Sequence, residues 1–146
     1  MANQQQLEIL KSGKNEWNQW RKEHQDEKID LSAAELSQVD LSGIDLSGVN
    51  LRGAHLHRVD LREANLRQAD LMGADLHMAD LRSADLSQAD LHWADLRAAQ
   101  LVGAQIASAD LDGADMRGAY LSEKTLKEVD QSAIKLDGTE RVVPEK

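Results

Sequence analysis

The chain has 146 residues, of which 26 are acidic and 17 are basic, and its formal net charge is −9. This length allows one domain with a sizeable core, and the acidic balance argues against direct binding of nucleic acid, whose protein partners carry basic patches. Cysteine is absent, which excludes disulfides, and neither a signal peptide nor a membrane span is recognisable, so we expect a cytoplasmic protein that does not bind membranes.

Residues 1–28 carry a helical pattern of apolar side chains. Leu7, Leu10, Trp17 and Trp20 recur at spacings compatible with one face of a helix. Gly13 lies between the two pairs and favours a division into two short helices. We predict that this segment is a helical cap on the structure that follows, with a site for a peptide-like partner as the alternative.

Residues 29–121 repeat every five positions. Leucine recurs at every fifth residue, with Ile106 and Met116 as its only substitutes, and a small apolar residue stands two positions earlier in nearly every repeat. Five residues of α-helix advance by roughly 500°, which would scatter the leucines around the helix. A straight strand alternates every two residues, whereas here the next inward residue follows three positions on. The chain must therefore bend once per repeat, and we predict short strands wound into a solenoid.

The rule Ala-(Asp/Asn)-Leu-x-x, seen in ADLMGADLHMADLRSADL at 69–86, resembles the pentapeptide-repeat family, and the chain is similar to its short free-standing bacterial and cyanobacterial members. The resemblance implies an all-β solenoid, a right-handed quadrilateral β-helix with four repeats per coil and about five coils. Similar members also open with a tryptophan-bearing capping helix. The interior would then hold four stacked columns: Leu31, Leu51, Leu71, Leu91, Leu111; Leu36, Leu56, Leu76, Leu96, Met116; Leu41, Leu61, Leu81, Leu101, Leu121; and Leu46, Leu66, Leu86, Ile106.

Residues 122–146 leave the repeat rule. Lys124 and Gln131 would place polar groups at inward positions. A helix fits better, because Ser122 can act as its N-cap and the apolar residues that follow share one face: Leu126, Val129, Ala133 and Leu136. We predict a C-terminal cap helix and a loose tail from Thr139, with an irregular fifth coil as the alternative. The family resemblance also implies that two copies can dimerise through this end.

Acidic residues precede most of the leucines and should stack in four columns, since residues twenty positions apart overlie one another in such a rod. One interpretation is a structural ladder bonded to the backbone, in which arginines such as Arg62 and Arg82 offset the repulsion. The alternative is a functional acidic surface. The resemblance implies that some members resemble DNA in width and charge and bind DNA gyrase, although this chain departs from them in having no phenylalanine.

A second functional hypothesis is a protein-binding patch in the third and fourth coils, formed by Met72, Met78, His92 and Trp93. Exposed tryptophan is a frequent centre of protein interfaces. The alternative for Trp93 is a ring that lies flat against the rod, since Gly73 and Gly113 would stack below and above it.

A third hypothesis is a metal site, because His55, His57, Asp75 and His77 would share one side of the rod in adjacent coils. Two or three of these side chains could converge on one zinc ion. Neither a nucleophile–base pair nor a phosphate-binding loop is recognisable in the sequence. We therefore predict a protein that is not an enzyme and needs no cofactor, whose partner is an unidentified protein.

Overall fold

The computed structural model describes residues 1–144. Its helices and strands are α1 (Gln4–Lys11), α2 (Lys14–Glu23), β1 (Tyr120–Ser122), α3 (Glu123–Glu128) and β2 (Arg141–Val143). Among the described residues, no helix has the length and apolar character needed to cross a membrane. The chain from residue 29 to β1 is built from the five-residue repeats.

Parallel bridges join the repeats at an interval of twenty residues, from Asp30 with Asn50 to Gln100 with Tyr120. The bridges form four series that start five residues apart, and we number these sides 1 to 4 after their first members: Asp30, Glu35, Asp40 and Asp45. Each repeat contributes one bridge residue rather than a regular strand, so the strands are shorter than the sequence predicts. The repeats thus stack as a β-solenoid whose coils we count from residue 29.

Backbone hydrogen bonds explain why the repeat has five residues. The N–H groups of the leucine and of the last residue of the repeat donate to backbone carbonyls of the next coil. The N–H of the acidic residue donates to a carbonyl of the preceding coil. The N–H of the small residue donates to the carbonyl of the leucine three positions earlier and closes a turn. The fifth N–H, on the residue after leucine, has only a side-chain acceptor: His77 N–H, for example, donates to Asp75 Oδ1 at 3.0 Å. Aspartate and asparagine form such turns readily, which accounts for their place before the leucine.

The last residue of each repeat has a left-handed backbone conformation. Its φ lies between 56° and 77° at every such position from Ala33 to Gly118. Glycine tolerates this conformation best, yet many of these residues are not glycine, and Trp93 and Met78 are among them. A left-handed non-glycine residue costs about 1–2 kcal/mol, so the hydrogen bonds and packing of the coil must outweigh that cost at each corner.

The interior of the solenoid consists of the leucine positions. Every residue of the four predicted interior columns is buried, and the most exposed of them, Leu111, is only 9% accessible. The small residues beside them are nearly all buried as well, with Val39 and Ala109 partly exposed. Burial of one leucine side chain contributes roughly 1.5–3 kcal/mol before entropy costs, and this repeated burial is the main source of stability.

The two N-terminal helices pack on the first coil. Gly13, with φ of 128°, separates α1 from α2, and Leu7, Leu10 and Trp17 are buried. The Trp17 indole N–H donates to the carbonyl oxygen of Asp45 at 2.7 Å, and Trp20 is partly buried against the same cluster. The helices thereby contact backbone groups of the first coil.

The C-terminal segment differs from the sequence-based prediction in two ways. Helix α3 begins after Ser122, whose side chain accepts from the Thr125 N–H, but it ends at Glu128 instead of extending to Leu136. The chain then returns to the ladder, because the last coil still has backbone groups to satisfy: Gly113 N–H donates to the Ala133 carbonyl at 2.7 Å.

The tail is also more ordered than predicted, because β2 pairs in parallel with β1, with Tyr120 opposite Arg141. The prediction of a loose segment from Thr139 is therefore wrong as far as Val143. Its last two residues, 145 and 146, lie outside the described part of the chain.

Candidate protein-binding site

Sides 2 and 3 neutralise much of their own charge through four pairs in which an arginine follows an aspartate by two positions. Each arginine donates to both oxygens of its aspartate, with Nη2–Oδ2 distances of 2.6–2.7 Å. We call these the Asp–Arg pairs: Asp60–Arg62, Asp80–Arg82, Asp95–Arg97 and Asp115–Arg117. Such two-pronged contacts are the strongest geometry for an exposed ion pair.

The pKa values of these aspartates follow from the pairing. Hydrogen bonding from Arg62 lowers the pKa of Asp60 below its ordinary value, and the positive charge of Arg62 adds to the effect. At Asp80, partial burial raises the pKa, but the hydrogen bonds and charge of Arg82 outweigh it, so the pKa again lies below its ordinary value. These carboxylates therefore remain ionised and paired at neutral pH.

Most of the acidic residues before a leucine serve the backbone as well. Their Oδ1 atoms accept the N–H of the residue two positions later, as Asp30 does for Ser32 at 2.9 Å and Asp85 does for Ser87 at 3.0 Å. This geometry supports the interpretation of the acidic columns as a structural ladder. Only the carboxylates that face solvent without an arginine partner are left for other roles.

Side 1 presents such carboxylates in its fourth and fifth coils. On this side the residue after leucine is His92 in the fourth coil and Asp112 in the fifth. In the Asp–Arg pairs the residue at this position is arginine. Within residues 1–144, no ion pair joins an arginine to Asp110 or Asp112. Their side chains are 48% and 68% accessible, compared with 15% for Asp115 of an Asp–Arg pair.

His92 stands at the centre of these acids. Its Nδ1 lies 2.8 Å from Asp90 Oδ1 and 3.4 Å from Asp110 Oδ2, and its Nε2 lies 3.9 Å from Asp112 Oδ2. The hydrogen bond with Asp90 raises the pKa of His92, and the neighbouring negative charges act in the same direction. The imidazole is thus held in place by carboxylates on both sides.

Trp93 is the large exposed aromatic side chain of this surface, with 67% of its area accessible. Its ring lies against Gly113, since a Cβ added there would come within 2.3 Å of Trp93 Cδ1, whereas a Cβ at Gly73 would meet nothing. The ring also meets the His92 ring edge-on at 5.7 Å. Trp93 therefore rests on one of the two predicted glycines and keeps most of its surface in solvent.

These residues form what we call the acidic–aromatic patch: Asp90, His92, Trp93, Asp110 and Asp112. Sequence reasoning selected His92 and Trp93 but missed the acids, although the twenty-residue register places Asp110 and Asp112 directly beside them. Of the two methionines in the predicted patch, Met72 is half-buried on side 1 with its Sδ 3.0 Å from Arg52 Nη2. Met78 belongs to side 2 and is a separate exposed residue.

The predicted metal ligands are neighbours but do not converge. The rings of His57 and His77 lie 5.1 Å apart at 37°, and Asp75 is engaged by the His77 N–H. Among the described residues, the group whose ligand atoms all come within 4.8 Å of one another is His92, Asp110 and Asp112. The structure thus does not bring three ligand atoms of the His55, His57, Asp75 and His77 set that close.

Comparison with known proteins agrees with this architecture. A family model described as pentapeptide repeats matches residues 29–68, 50–88 and 84–123, which together cover more than half of the chain. None of the curated proteins compared with the chain matches it.

Several solved structures are similar. A pentapeptide repeat protein from the thylakoid lumen of Arabidopsis thaliana is 30% identical over 73% of this chain, with a TM-score of 0.39, and the chain spans 60% of that protein's length. Rfr23 from the cyanobacterium Cyanothece 51142 is 26% identical over 86% of this chain and 97% of its own, with a TM-score of 0.45. QnrB1, a plasmid-mediated fluoroquinolone resistance protein, is 22% identical over 79% of this chain and 68% of its own, with a TM-score of 0.53. At that identity the likeness to QnrB1 concerns the fold alone.

Proposed function

The chain belongs to the pentapeptide-repeat family, and from that premise we propose that it is a non-enzymatic protein-interaction module that binds a protein partner through side 1. The observation that carries the proposal is the acidic–aromatic patch, where a largely exposed tryptophan stands among carboxylates that no arginine pairs. Tryptophan is enriched among the residues that dominate binding energy, and an exposed one on so polar a rod marks a contact surface.

The energetics favour this surface over the other sides. A tryptophan side chain buries about 150–250 Å² in an interface, so covering the exposed part of Trp93 would contribute about 2–4 kcal/mol. The Asp–Arg pairs of sides 2 and 3 already satisfy their own charges. A partner would gain little from them, because exposed ion pairs contribute only about 0–1 kcal/mol.

Affinity capture with the tagged full chain tests the proposal. We expect Trp93→Ala to lose a partner that the unmodified chain retains, whereas Met78→Ala, which removes an exposed apolar side chain from side 2, should retain it. Circular dichroism should show that both variants are folded. Equal capture by the two variants would contradict a binding role for side 1.

We also infer the finer architecture on the strength of the family. The four bridge series and the twenty-residue interval support a right-handed, four-sided rod of about five coils, with α1 and α2 as its N-terminal cap and the segment from α3 to β2 closing the other end. At that end β2 exposes Val142 and Val143, which are 41% and 38% accessible. We propose that two copies associate there, and light scattering that shows only monomer across a wide concentration range would refute it.

The second candidate function is binding to a topoisomerase through a DNA-like acidic surface. The carboxylates of Asp110 and Asp112, which no arginine pairs, favour it. The Asp–Arg pairs of sides 2 and 3 weigh against it, since they reduce the charge that would imitate a phosphate backbone. Titration of the protein into a DNA gyrase supercoiling reaction tests this candidate. Unchanged supercoiling in the presence and absence of a fluoroquinolone would exclude it.

A further inference from the structure

The acidic–aromatic patch has the chemistry of a receptor for one cationic side chain. We propose that the partner contributes an arginine, whose guanidinium group binds the carboxylates of Asp110 and Asp112 and stacks on the indole of Trp93. This inference rests on the proposed function, because it names the group that a protein partner would present to side 1.

The repeat itself supplies the first argument. In the Asp–Arg pairs, the acid before the leucine binds a guanidinium group that comes from two positions later, as Arg117 does for Asp115 with Nη2–Oδ2 at 2.6 Å. The repeat that precedes this pair along the chain has Asp110 before the leucine and Asp112 two positions later. A second carboxylate therefore stands where the neighbouring repeat has its arginine, so a guanidinium group can reach this acid only from another part of the molecule or from a partner.

The geometry of the two acids supplies the second argument. Asp110 Oδ1 accepts the Asp112 N–H at 3.2 Å, which fixes the carboxylate in the same turn as in the other repeats. Its side chain is nevertheless 48% accessible, and that of Asp112 is 68% accessible. The flat fork of arginine binds carboxylates with two hydrogen bonds, which the single ammonium group of lysine cannot reproduce.

Trp93 supplies the third argument and distinguishes this surface from a simple acidic cluster. Its ring lies against Gly113, and Gly113 directly follows Asp112 in the chain. A guanidinium group within about 6 Å of an indole gains a cation–π attraction, and arginine is the side chain that most often makes this contact. The His92 ring links the two parts of the patch, since it lies 5.7 Å from the ring of Trp93 and within 3.4 Å of Asp110 Oδ2 and 3.9 Å of Asp112 Oδ2.

The experiment is an NMR titration of the ¹⁵N-labelled full chain with N-acetyl-arginine amide at pH 7.5. We expect saturable shifts of the Trp93 indole N–H and of the amides of residues 110–113, with a dissociation constant on the order of millimolar. N-acetyl-citrulline amide, which is neutral and similar in shape, should cause no saturable shifts. N-acetyl-lysine amide should bind several-fold more weakly.

Matched variants separate specific binding from attraction to an acidic protein. Asp112→Asn should weaken binding of the arginine amide about threefold, and Trp93→Ala should weaken it about two- to fivefold. Asp26→Asn removes the same charge from an exposed loop far along the rod and should leave binding unchanged. Shifts spread evenly over the acidic residues, or an equal loss with Asp112→Asn and Asp26→Asn, would overturn the inference.

The outcome is independent of the test of the proposed function. Loss of partner capture by Trp93→Ala without localised arginine binding would refute the arginine proposal and leave the interaction module standing. Localised arginine binding combined with unchanged capture by Trp93→Ala would refute the role of side 1 in the module while supporting the receptor chemistry of the patch.

Discussion

Asp75→Ala and Asp75→Asn, compared with each other, test whether the acidic columns exist for their hydrogen bonds or for their charge. Asp75 Oδ1 accepts the His77 N–H at 3.0 Å, and this is the N–H of the repeat for which the backbone ladder provides no acceptor. Alanine removes the acceptor. Asparagine retains it but loses the charge, as Asn50 does where its Oδ1 accepts from Arg52 N–H at 3.0 Å.

A net hydrogen bond of this kind contributes about 0.5–1.5 kcal/mol, so we expect Asp75→Ala to lower the free energy of unfolding by about 1 kcal/mol. For a chain of this size that corresponds to a fall in Tm of roughly 2–4 °C. Asp75→Asn should stay within about 0.5 kcal/mol of the unmodified chain. Urea denaturation followed by far-UV circular dichroism measures all three proteins under the same conditions.

The comparison has two outcomes that would refute the reasoning. If asparagine destabilises the chain as much as alanine does, the carboxylate charge matters and the hydrogen bond does not. If neither substitution has an effect, water satisfies the His77 N–H as well as Asp75 does, and the preference for aspartate or asparagine before the leucine needs another cause.

Three further predictions follow from the same geometry. Leu76→Asp should unfold the rod because it buries a charge, while Arg82→Ala should cost at most about 1 kcal/mol; similar Tm values would contradict the interior map. Gly113→Ala and Gly53→Ala should share a backbone cost of about 1–2 kcal/mol, but only Gly113→Ala should shift the Trp93 indole resonance. The contribution of the Asp–Arg pairs to stability should be complete above about pH 4 and fall below it, because the pKa values of their carboxylates are lowered in the folded state and the carboxylates become protonated there; a urea midpoint that does not fall between pH 4 and pH 2 would contradict this.

The stacking of residues twenty positions apart could be predicted because one side-chain type recurs without insertion. A leucine every fifth residue is compatible with neither helix nor straight strand, and the family resemblance then supplies the number of repeats per coil. The left-handed corners could be predicted only where glycine stands. At Trp93 and Met78 the local preference opposes the observed φ, and the ladder imposes it through bonds such as Met78 N–H to the Arg97 carbonyl at 2.9 Å.

At the C-terminus the sequence correctly predicts where the helix begins but not where it ends. Ser122 caps a helix as its residue type predicts, but the apolar spacing through Leu136 predicted a helix that the chain abandons after Glu128. The open end of the ladder presents N–H groups that a longer helix could not satisfy. The chain therefore gives up helical bonds and brings Ala133 and Lys135 back to the coil, an outcome that depends on contacts between coils and is invisible in a local pattern.

The twenty-residue register predicts which residues of the site are neighbours, but not how their side chains are oriented. The register places His57 beside His77, twenty residues apart, and His92 beside Asp110, eighteen residues apart, and each pair lies on one side of the rod. It therefore predicts both pairs equally well. What separates them is side-chain conformation: the first two rings lie next to each other, whereas the second ring turns to Asp90 and toward the acids of the next coil. Both histidines follow an aspartate by two positions, Asp75 and Asp90, so the local sequence does not distinguish them. The residue in the next coil does, because Arg97 lies twenty positions after His77 and Asp112 lies twenty positions after His92. In such a rod, a functional surface is therefore best sought by comparing each repeat with the repeats beside it. The feature to look for is an exposed aspartate before the leucine that lacks the arginine two positions later.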